Sequence, residues 1–375
     1  MHMSHHYSYN IHDVITVTSE VKLPELEPFL VVERIARATI DVQIGTPTRT
    51  PRDAAARHLF YTELFRTVGF EAEIEIDDRI HVIASPLLRL SPHVLYTNLV
   101  EPILRWTFVE RGYALVHAAT IAFGEKAYMI TARTDTGKTT TLLKILDHQR
   151  RDTDKAAFIS DDLTLVSPTG EVMTYPKPLT ISAHTVRAIN ATLLTRSQRF
   201  SLPFQSRIHS RGGRRFAFQL NQIGLLPMAT INAVVQFLVP PPKYHVTTLV
   251  PKVKLAKRAR LAGLFIIERG EEMDAPLDPK EALEILLSNC EDAFGFPPYH
   301  SIKEFLYCPE DKDLRPIEQS IIRQALDGVP ANLIRSNTLE WWRRIPTFVG
   351  EDVAIFFSMH PERSNGSLRR HAVRI

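Results

Sequence analysis

Cysteine is scarce: Cys290 and Cys308 are the only two in 375 residues. A chain of this length with two thiols is not held by a disulfide framework, and a reducing, cytoplasmic setting is the expectation. Long apolar runs are missing too. The longest weakly polar stretch, Ile223 to Val239, is broken by Pro227, Asn232 and Gln236, so no transmembrane segment is expected. The opening residues "MHMSHH" lack the apolar core of a secretory leader. Neither sign of charge dominates, because 45 Lys and Arg stand against 42 Asp and Glu for a formal net charge of +3. That balance argues against a nucleic-acid-coating or membrane-coating protein. The basic stretch Lys252 to Arg260 has no interleaved aromatics and reads as a solvated face. What is present is an ordinary globular composition, 44% hydrophobic and 23% charged, with length enough for two domains and a sizeable core.

The pattern along the chain changes near Tyr96. Before it, "RDAAARHLFYTELFRTVG" places apolar residues at helical spacing and closes on Gly69, which predicts a helix with a C-terminal glycine. "FEAEIEIDDRIHVIAS" alternates Phe70, Ala72, Ile74 and Ile76 with Glu71, Glu73 and Glu75, and turns at Asp77-Asp78, which predicts a half-exposed hairpin. A small α/β or β-rich unit over 1–95 is expected. After it, "YTNLVEPILRWTFVERG" reads as a helix ending at Gly112, "YALVHAATIAF" as a strand, and "AYMI" as a second strand running into "TARTDTGKTT". "TTTLLKILDHQRR" then continues as a helix. Farther on come the strand "AAFIS" closing on Asp161-Asp162, a hairpin around Pro168-Thr169-Gly170, and an arginine-rich irregular segment from Arg196 to Arg215. "TINAVVQFLVPPP" is read as a strand stopped by prolines and "DPKEALEILLSN" as a helix, followed by helical patches and a basic tail from Pro361. "FGFPPYHSIKEFLY" gathers aromatics that line a pocket or, by default, pack the C-terminal part on the core.

Strand, loop, helix is the context a phosphate-binding loop requires, and Gly137, Lys138 and Thr139 supply its core. In such a loop the backbone N–H groups and the helix start surround anionic oxygens. A lysine reaches the outer phosphates and a hydroxyl meets magnesium. Ala132 stands where the first glycine of the pattern belongs, acceptable only with a negative φ, and Asp135 replaces another glycine in a place aspartate tolerates. Asp161 and Asp162 follow at the end of an apolar strand. Phosphoryl transfer needs a carboxylate near the metal, and a kinase needs an acceptor for the hydroxyl proton. Two adjacent carboxylates reach one site only where the strand ends or twists. His117 has two readings, a hydrogen-bonded core histidine or a group beside the phosphates.

"LVHAATIAFGEKAYMITARTDTGKTTTLLKIL", with "FISDDLTLV" and "YPKPLTIS", resembles the catalytic domain of HPr kinase/phosphorylase and its kinase-like relatives, which share a core with phosphoenolpyruvate carboxykinase. The resemblance is good from Tyr96 to Ser182 and faint to Asn289. It implies an α/β fold with a P-loop kinase core over 96–300, between a smaller N-terminal α/β domain (1–95) and a C-terminal helical extension (301–375). It further implies ATP and Mg2+, with nucleotide held by Ala132, Arg133, Thr134, Asp135, Thr136, Gly137, Lys138, Thr139 and Thr140. Metal would lie at Thr139, Asp161 and Asp162, and Lys138, His117, Asp161 and Asp162 would be catalytic, with the base open between the aspartates. "LNQIGLLPMATIN" only echoes the family's downstream Gly-Leu-Gly signature, and the N-terminal part is not that of the HPr-specific enzymes. The expected activity is therefore transfer of the γ-phosphoryl group to a hydroxyl of a small molecule or peptide, the Arg196 to Arg215 segment being suited to an anionic acceptor. The alternatives are a protein serine kinase of HPr kinase type, a nucleotide-dependent switch, and a carboxykinase-like reaction for which further metal ligands are not found. No nucleic-acid partner is expected, and the oligomeric state is left open.

Overall fold

The structure, a computed structural model, describes residues 6–65, 68–149, 156–189, 242–294, 298–309 and 312–349, with a few positions between 194 and 239. The Arg196 to Arg215 arginines, most of the "TINAVVQFLVPPP" segment and the tail from Pro361 lie outside the described residues. In the first part the strands are β1 (Tyr7–Ile11), β2 (Ile15–Ser19), β3 (Leu30–Val31), β4 (Ile40–Ile44), β5 (Arg57–Phe65), β6 (Val68–Ile76) and β7 (Ile80–Ala84). There follow α1 (Pro92–Leu95), a π turn (Tyr96–Val100), α2 (Glu101–Glu110), β8 (Ala114–Val116), β9 (Ala119–Phe123), β10 (Lys126–Thr131) and α3 (Lys138–Gln149). Next are β11 (Ala156–Ser160), β12 (Thr164–Val166), β13 (Glu171–Met173), β14 (Leu179–Thr180), α4 (Ala183–Ala188), β15 (Lys243–Tyr244) and α5 (Val246–Leu249). The last are β16 (Lys254–Leu255), β17 (Arg258–Glu268), β18 (Met273–Pro276), α6 (Pro279–Ala293), α7 (Tyr299–Tyr307), α8 (Arg315–Ala325) and β19 (Ala331–Arg335). A final helix, α9, covers 341–349.

The chain is α/β with mixed sheets. β1 to β7 form a seven-stranded sheet in the order β3-β1-β2-β4-β7-β6-β5, with β4 parallel to both neighbours. The ten-stranded sheet runs β16-β11-β9-β10-β17-β13-β12-β8, with β19 on β17 and β18 on β19. At its centre β10, β17 and β19 are parallel. Parallel strands covered on both faces lose their polar alternation, and Ala127 to Thr131 and Gly263 to Ile267 are buried without interruption. One face packs on α2, α6, α7 and α8 through Ile103, Leu286, Ile302 and Ile322. The other packs on α3, α5 and α9 through Leu142, Leu143, Leu249, Trp341 and Ile345.

Two expectations for the first part are corrected. The segment before Gly69 is not a helix: Arg57–Phe65 is strand β5, paired antiparallel with β6 along its whole length, and Gly69 is a strand residue opposite Leu64. The partner strand outweighs the local helical spacing. Nor is the second face of β6 exposed. Phe70, Ala72 and Ile74 are buried as expected, but so are Glu73 and Glu75, whose carboxylates accept the backbone N–H groups of Thr48 (2.7 Å) and Asp53 (2.9 Å). A buried carboxylate is tolerated when such donors reach it. The "YALVHAATIAF" stretch is likewise two strands, β8 and β9, parted at His117-Ala118. The helix ending near Gly112 (φ 81°), the turn at Gly124 (φ 61°) and the 279–293 helix capped by Asp278 are present.

The N-terminal sheet meets the larger one through polar contacts. His12 Nε2 lies 2.7 Å from the carbonyl of Thr174, and buried Glu25 accepts from Lys243 Nζ (2.6 Å) and lies 2.5 Å from His93 Nδ1. Burial would raise the Glu25 carboxyl, but Lys243 and His93 outweigh it and bring it down to about 2.

On the helical face a single arginine joins four helices. Arg105 of α2, 1% exposed, makes a forked pair with Glu318 of α8 (2.8 and 2.9 Å) and reaches Glu291 of α6 (2.6 Å) and the Tyr299 hydroxyl of α7 (3.2 Å). Its guanidinium lies 4.7 Å from the ring centroids of both Trp106 and Phe294. The aromatic segment around Pro297 thus supplies packing at Phe294 and Tyr299. Glu318→Ala is expected to cost about 3 kcal/mol in urea unfolding, because it strands a buried charge, whereas the double variant Arg105→Met/Glu318→Leu is expected to lose less than the single one.

Candidate functional site

The loop between β10 and α3 lies at the carboxyl end of a buried parallel strand. Ala132 is buried, stays out of the left-handed region, and packs in the core on the α3 side. A methyl group is therefore accommodated where a glycine was expected. Asp135 adopts φ 65° and Gly137 φ 133°. The Gly137 backbone favours glycine, and a Cβ there would also approach Trp341 to 3.3 Å, a tight contact. Arg133, Thr134 and Asp135 are exposed on the outside of the loop, and Arg269 donates to the carbonyls of Asp135 (3.1 Å) and Thr136 (3.3 Å). Thr140 lies 3.1 Å, hydroxyl to hydroxyl, from Thr185 of α4.

Lys138 turns inward. Its Nζ donates to the carbonyl of Ala132 (3.2 Å) and to His117 Nε2 (2.9 Å). His117 Nδ1–H donates to the backbone carbonyl of Asn289 on α6 (2.7 Å), which keeps the proton on Nδ1 and leaves Nε2 to accept. Around it Thr131 Oγ1 donates to the His117 carbonyl (2.9 Å), Asn289 Nδ2 donates to Thr131 Oγ1 (3.2 Å), and the His117 N–H faces Cys290 Sγ at 3.3 Å. Burial lowers the Lys138 ammonium, against the pull of Asp162 and Asp161. Burial pushes the Cys290 thiol up to about 12.

The two aspartates separate. Asp161 is buried, and its Oδ2 accepts from Thr139 Oγ1 at 2.8 Å while Oδ1 has no hydrogen-bond partner among the described residues. Asp162 adopts φ 72°, a left-handed backbone unusual outside glycine. That turn ends the strand and lets both neighbours serve one site. Asp162 Oδ1 lies 3.3 Å from His117 Nε2, and Oδ2 lies 2.8 Å from Lys177 Nζ. Lys177 is buried and also pairs with Glu101 at 2.6 Å. A continuous run of groups thus extends from Lys138 through His117, Asp162 and Lys177 to Glu101.

Charge and burial set the titration of these groups. For Asp161, burial and then the neighbouring Asp162 charge push the carboxyl up to about 6, over the opposing Thr139 hydrogen bond and Lys138. For Asp162 burial also acts upward, but Lys177 and His117 outweigh it and hold the group well below the usual carboxylate range. Its side chain is 53% exposed at the mouth of the site, so solvent screens part of this effect. Burial raises Glu101 against the pull of Lys177. Burial would lower Lys177, but Asp162 and Glu101 raise it instead.

Of the residues singled out from the sequence, Lys138, Thr139, His117, Asp161 and Asp162 come together, while Arg133 and Thr134 face outward. Lys177, Glu101 and Asn289 were not foreseen. Lys177 lies inside "YPKPLTIS", and a lysine between prolines was the available signal. Among the described residues no group of three or more His, Cys, Asp and Glu is arranged to hold a metal. Thr139 Oγ1 and the unpartnered Asp161 Oδ1 are the oxygens here that could hold a divalent ion. No protein-family model matches the chain, and no curated protein matches it in sequence.

Asp161→Asn is expected to raise the melting temperature at pH 8. The folded-state carboxyl titrates near 6, above the ordinary 3.8, so the stability associated with its protonated form is present below 3.8 and lost as pH rises through 6. The variant's advantage should shrink between pH 7 and pH 4, and thermal unfolding across that range checks it.

Proposed function

We propose that the chain is an ATP-dependent kinase with a P-loop core akin to that of HPr kinase/phosphorylase, transferring the γ-phosphoryl group to a hydroxyl of a small molecule or peptide. The observation that carries this reading is the division between the aspartates: Asp161 sits against the loop hydroxyl of Thr139, while Asp162 sits against His117 and Lys177. A nucleotide switch has no need of the second carboxylate.

In this reading the amides of the loop and of the α3 N-terminus face the phosphate oxygens, and Lys138 exchanges the Ala132 carbonyl for an outer phosphate. Thr139 and Asp161 would hold Mg2+, which supplies charge neutralisation on the β- and γ-phosphate oxygens when bound. Asp162 orients the acceptor hydroxyl and takes its proton. A carboxylate held this low is a weak base, and its chief contribution is positioning, which suits a reaction whose catalysis is mostly positioning and electrostatics. Lys177, fixed by Glu101, holds Asp162 in its strained turn. His117 Nε2 accepts from Lys138, and the ring meets Asp162 Oδ1 as a hydrogen-bond donor only when it carries a second proton.

Lys138→Ala is expected to weaken ATP-Mg2+ binding by about tenfold or more in calorimetric titration; unchanged affinity would show the site to be misplaced. Asp162→Asn is expected to keep ATP affinity within about threefold while lowering transfer of γ-label to hydroxyl acceptors by about a hundredfold or more. Label that leaves the parent enzyme only as free phosphate, whatever acceptor is offered, would favour the switch.

A further inference from the structure

A cavity of about 630 Å3 opens beside the loop. Its walls are the first half of the loop from Ala132 to Thr136, the carboxyl end of β17 with Arg269 after it, and a face of α6 carrying Glu284, Ser288 and Asn289. β10 has β9 and then β11, which leads to Asp161, on one side, and β17 on the other. The cavity therefore lies on the flank of the loop away from the aspartates.

We propose that this cavity takes the nucleoside of the triphosphate, with the sugar hydroxyls directed to Glu284 and Ser288; the inference rests on the reading of the loop as a nucleotide site. The crevice outside the carboxyl ends of adjacent parallel strands is where α/β sheets accept such ligands, and the volume falls in the range of roughly 300–1,000 Å3 usual for small-molecule sites. Phosphoryl transfer places the attacking and leaving oxygens on opposite sides of the transferred group. With the acceptor at Asp162, the nucleoside must leave in the other direction. The His117 ring, bonded to the Asn289 carbonyl at 2.7 Å, stands between Asp162 and the cavity wall and keeps the two occupants apart. Arg269 is engaged with the loop carbonyls and Glu268 with Arg335 (3.0 Å), so these charges shape the wall. Glu284 and Ser288, one turn apart on the same face of α6, present a carboxylate and a hydroxyl matched to a pair of neighbouring hydroxyls.

The test compares ATP-Mg2+ with tripolyphosphate-Mg2+ by calorimetric titration of the full chain. Ser288 is exposed at the rim, so Ser288→Trp fills the cavity without disturbing the core. It is expected to weaken ATP by about tenfold or more and to leave tripolyphosphate within about twofold. An unchanged ATP affinity, or an equal loss for both ligands, overturns the nucleoside site while leaving the loop as a phosphate site. A parent chain that binds neither ligand overturns the nucleotide reading itself. In a second variant, Glu284→Ala, the parent's preference for ATP over its 2′,3′-dideoxy analogue is expected to disappear, and a preference that persists would sink the assignment of the sugar hydroxyls.

Discussion

A charge that leaves water needs a partner, and around this loop the requirement is met in series. Lys138, His117, Asp162, Lys177 and Glu101 stand in series, with separations of 2.9, 3.3, 2.8 and 2.6 Å, Lys138 donating to His117 and Lys177 pairing with both Asp162 and Glu101. Each member taken alone would be costly to bury. Together they tie the loop, the end of β11, the segment before β14 and the first turn of α2 into one unit, so the site is also a structural joint. The left-handed turn at Asp162 is held on one side by the ion pair of its Oδ2 with Lys177, while its Oδ1 faces the His117 ring at 3.3 Å.

The larger sheet explains why this joint is where it is. β10 delivers the loop, β11 delivers the aspartates, the junction between β8 and β9 delivers His117, and β17 closes the other flank. α6 reaches across to fix the histidine through a backbone carbonyl, a contact that does not depend on the side chain at 289. The register of β10 on β17 shifts between Ala127 and Tyr128, opposite Gly263, where a Cβ would come within 2.9 Å of the tyrosine ring. The strand that carries the loop is thereby seated on a position with room for hydrogen alone.

Much of this was legible in the residues. Gly137-Lys138-Thr139 between a strand and a helix, and Asp161-Asp162 at a strand end, are local patterns, and local patterns survive folding. The different surroundings of the two aspartates were not legible, because they depend on Thr139 on one side and on Lys177 and His117 on the other. Glu101 and Lys177 are 76 positions apart and meet only when α2 packs beside the sheet. The error at Arg57–Phe65 has a related cause. Its apolar spacing fits a helix as well as a strand, and the deciding term is pairing with β6. Glu73 and Glu75 were assigned to solvent by alternation, and only the 48–53 segment folding over them supplies the amides that make burial tolerable.

Cys290 illustrates how the same packing shapes chemistry that the site does not use. Its sulfur is wholly enclosed, faces the His117 amide, and is pushed up to about 12. A thiol in that condition fills space and accepts a weak hydrogen bond, and it is closed to alkylation and oxidation while the fold is intact. The chain's other sulfhydryl, Cys308, is partly exposed at the end of α7, where its carbonyl meets Arg57 of the N-terminal sheet. The protein therefore has one accessible attachment point for a thiol-reactive probe, placed where the N-terminal sheet meets α7.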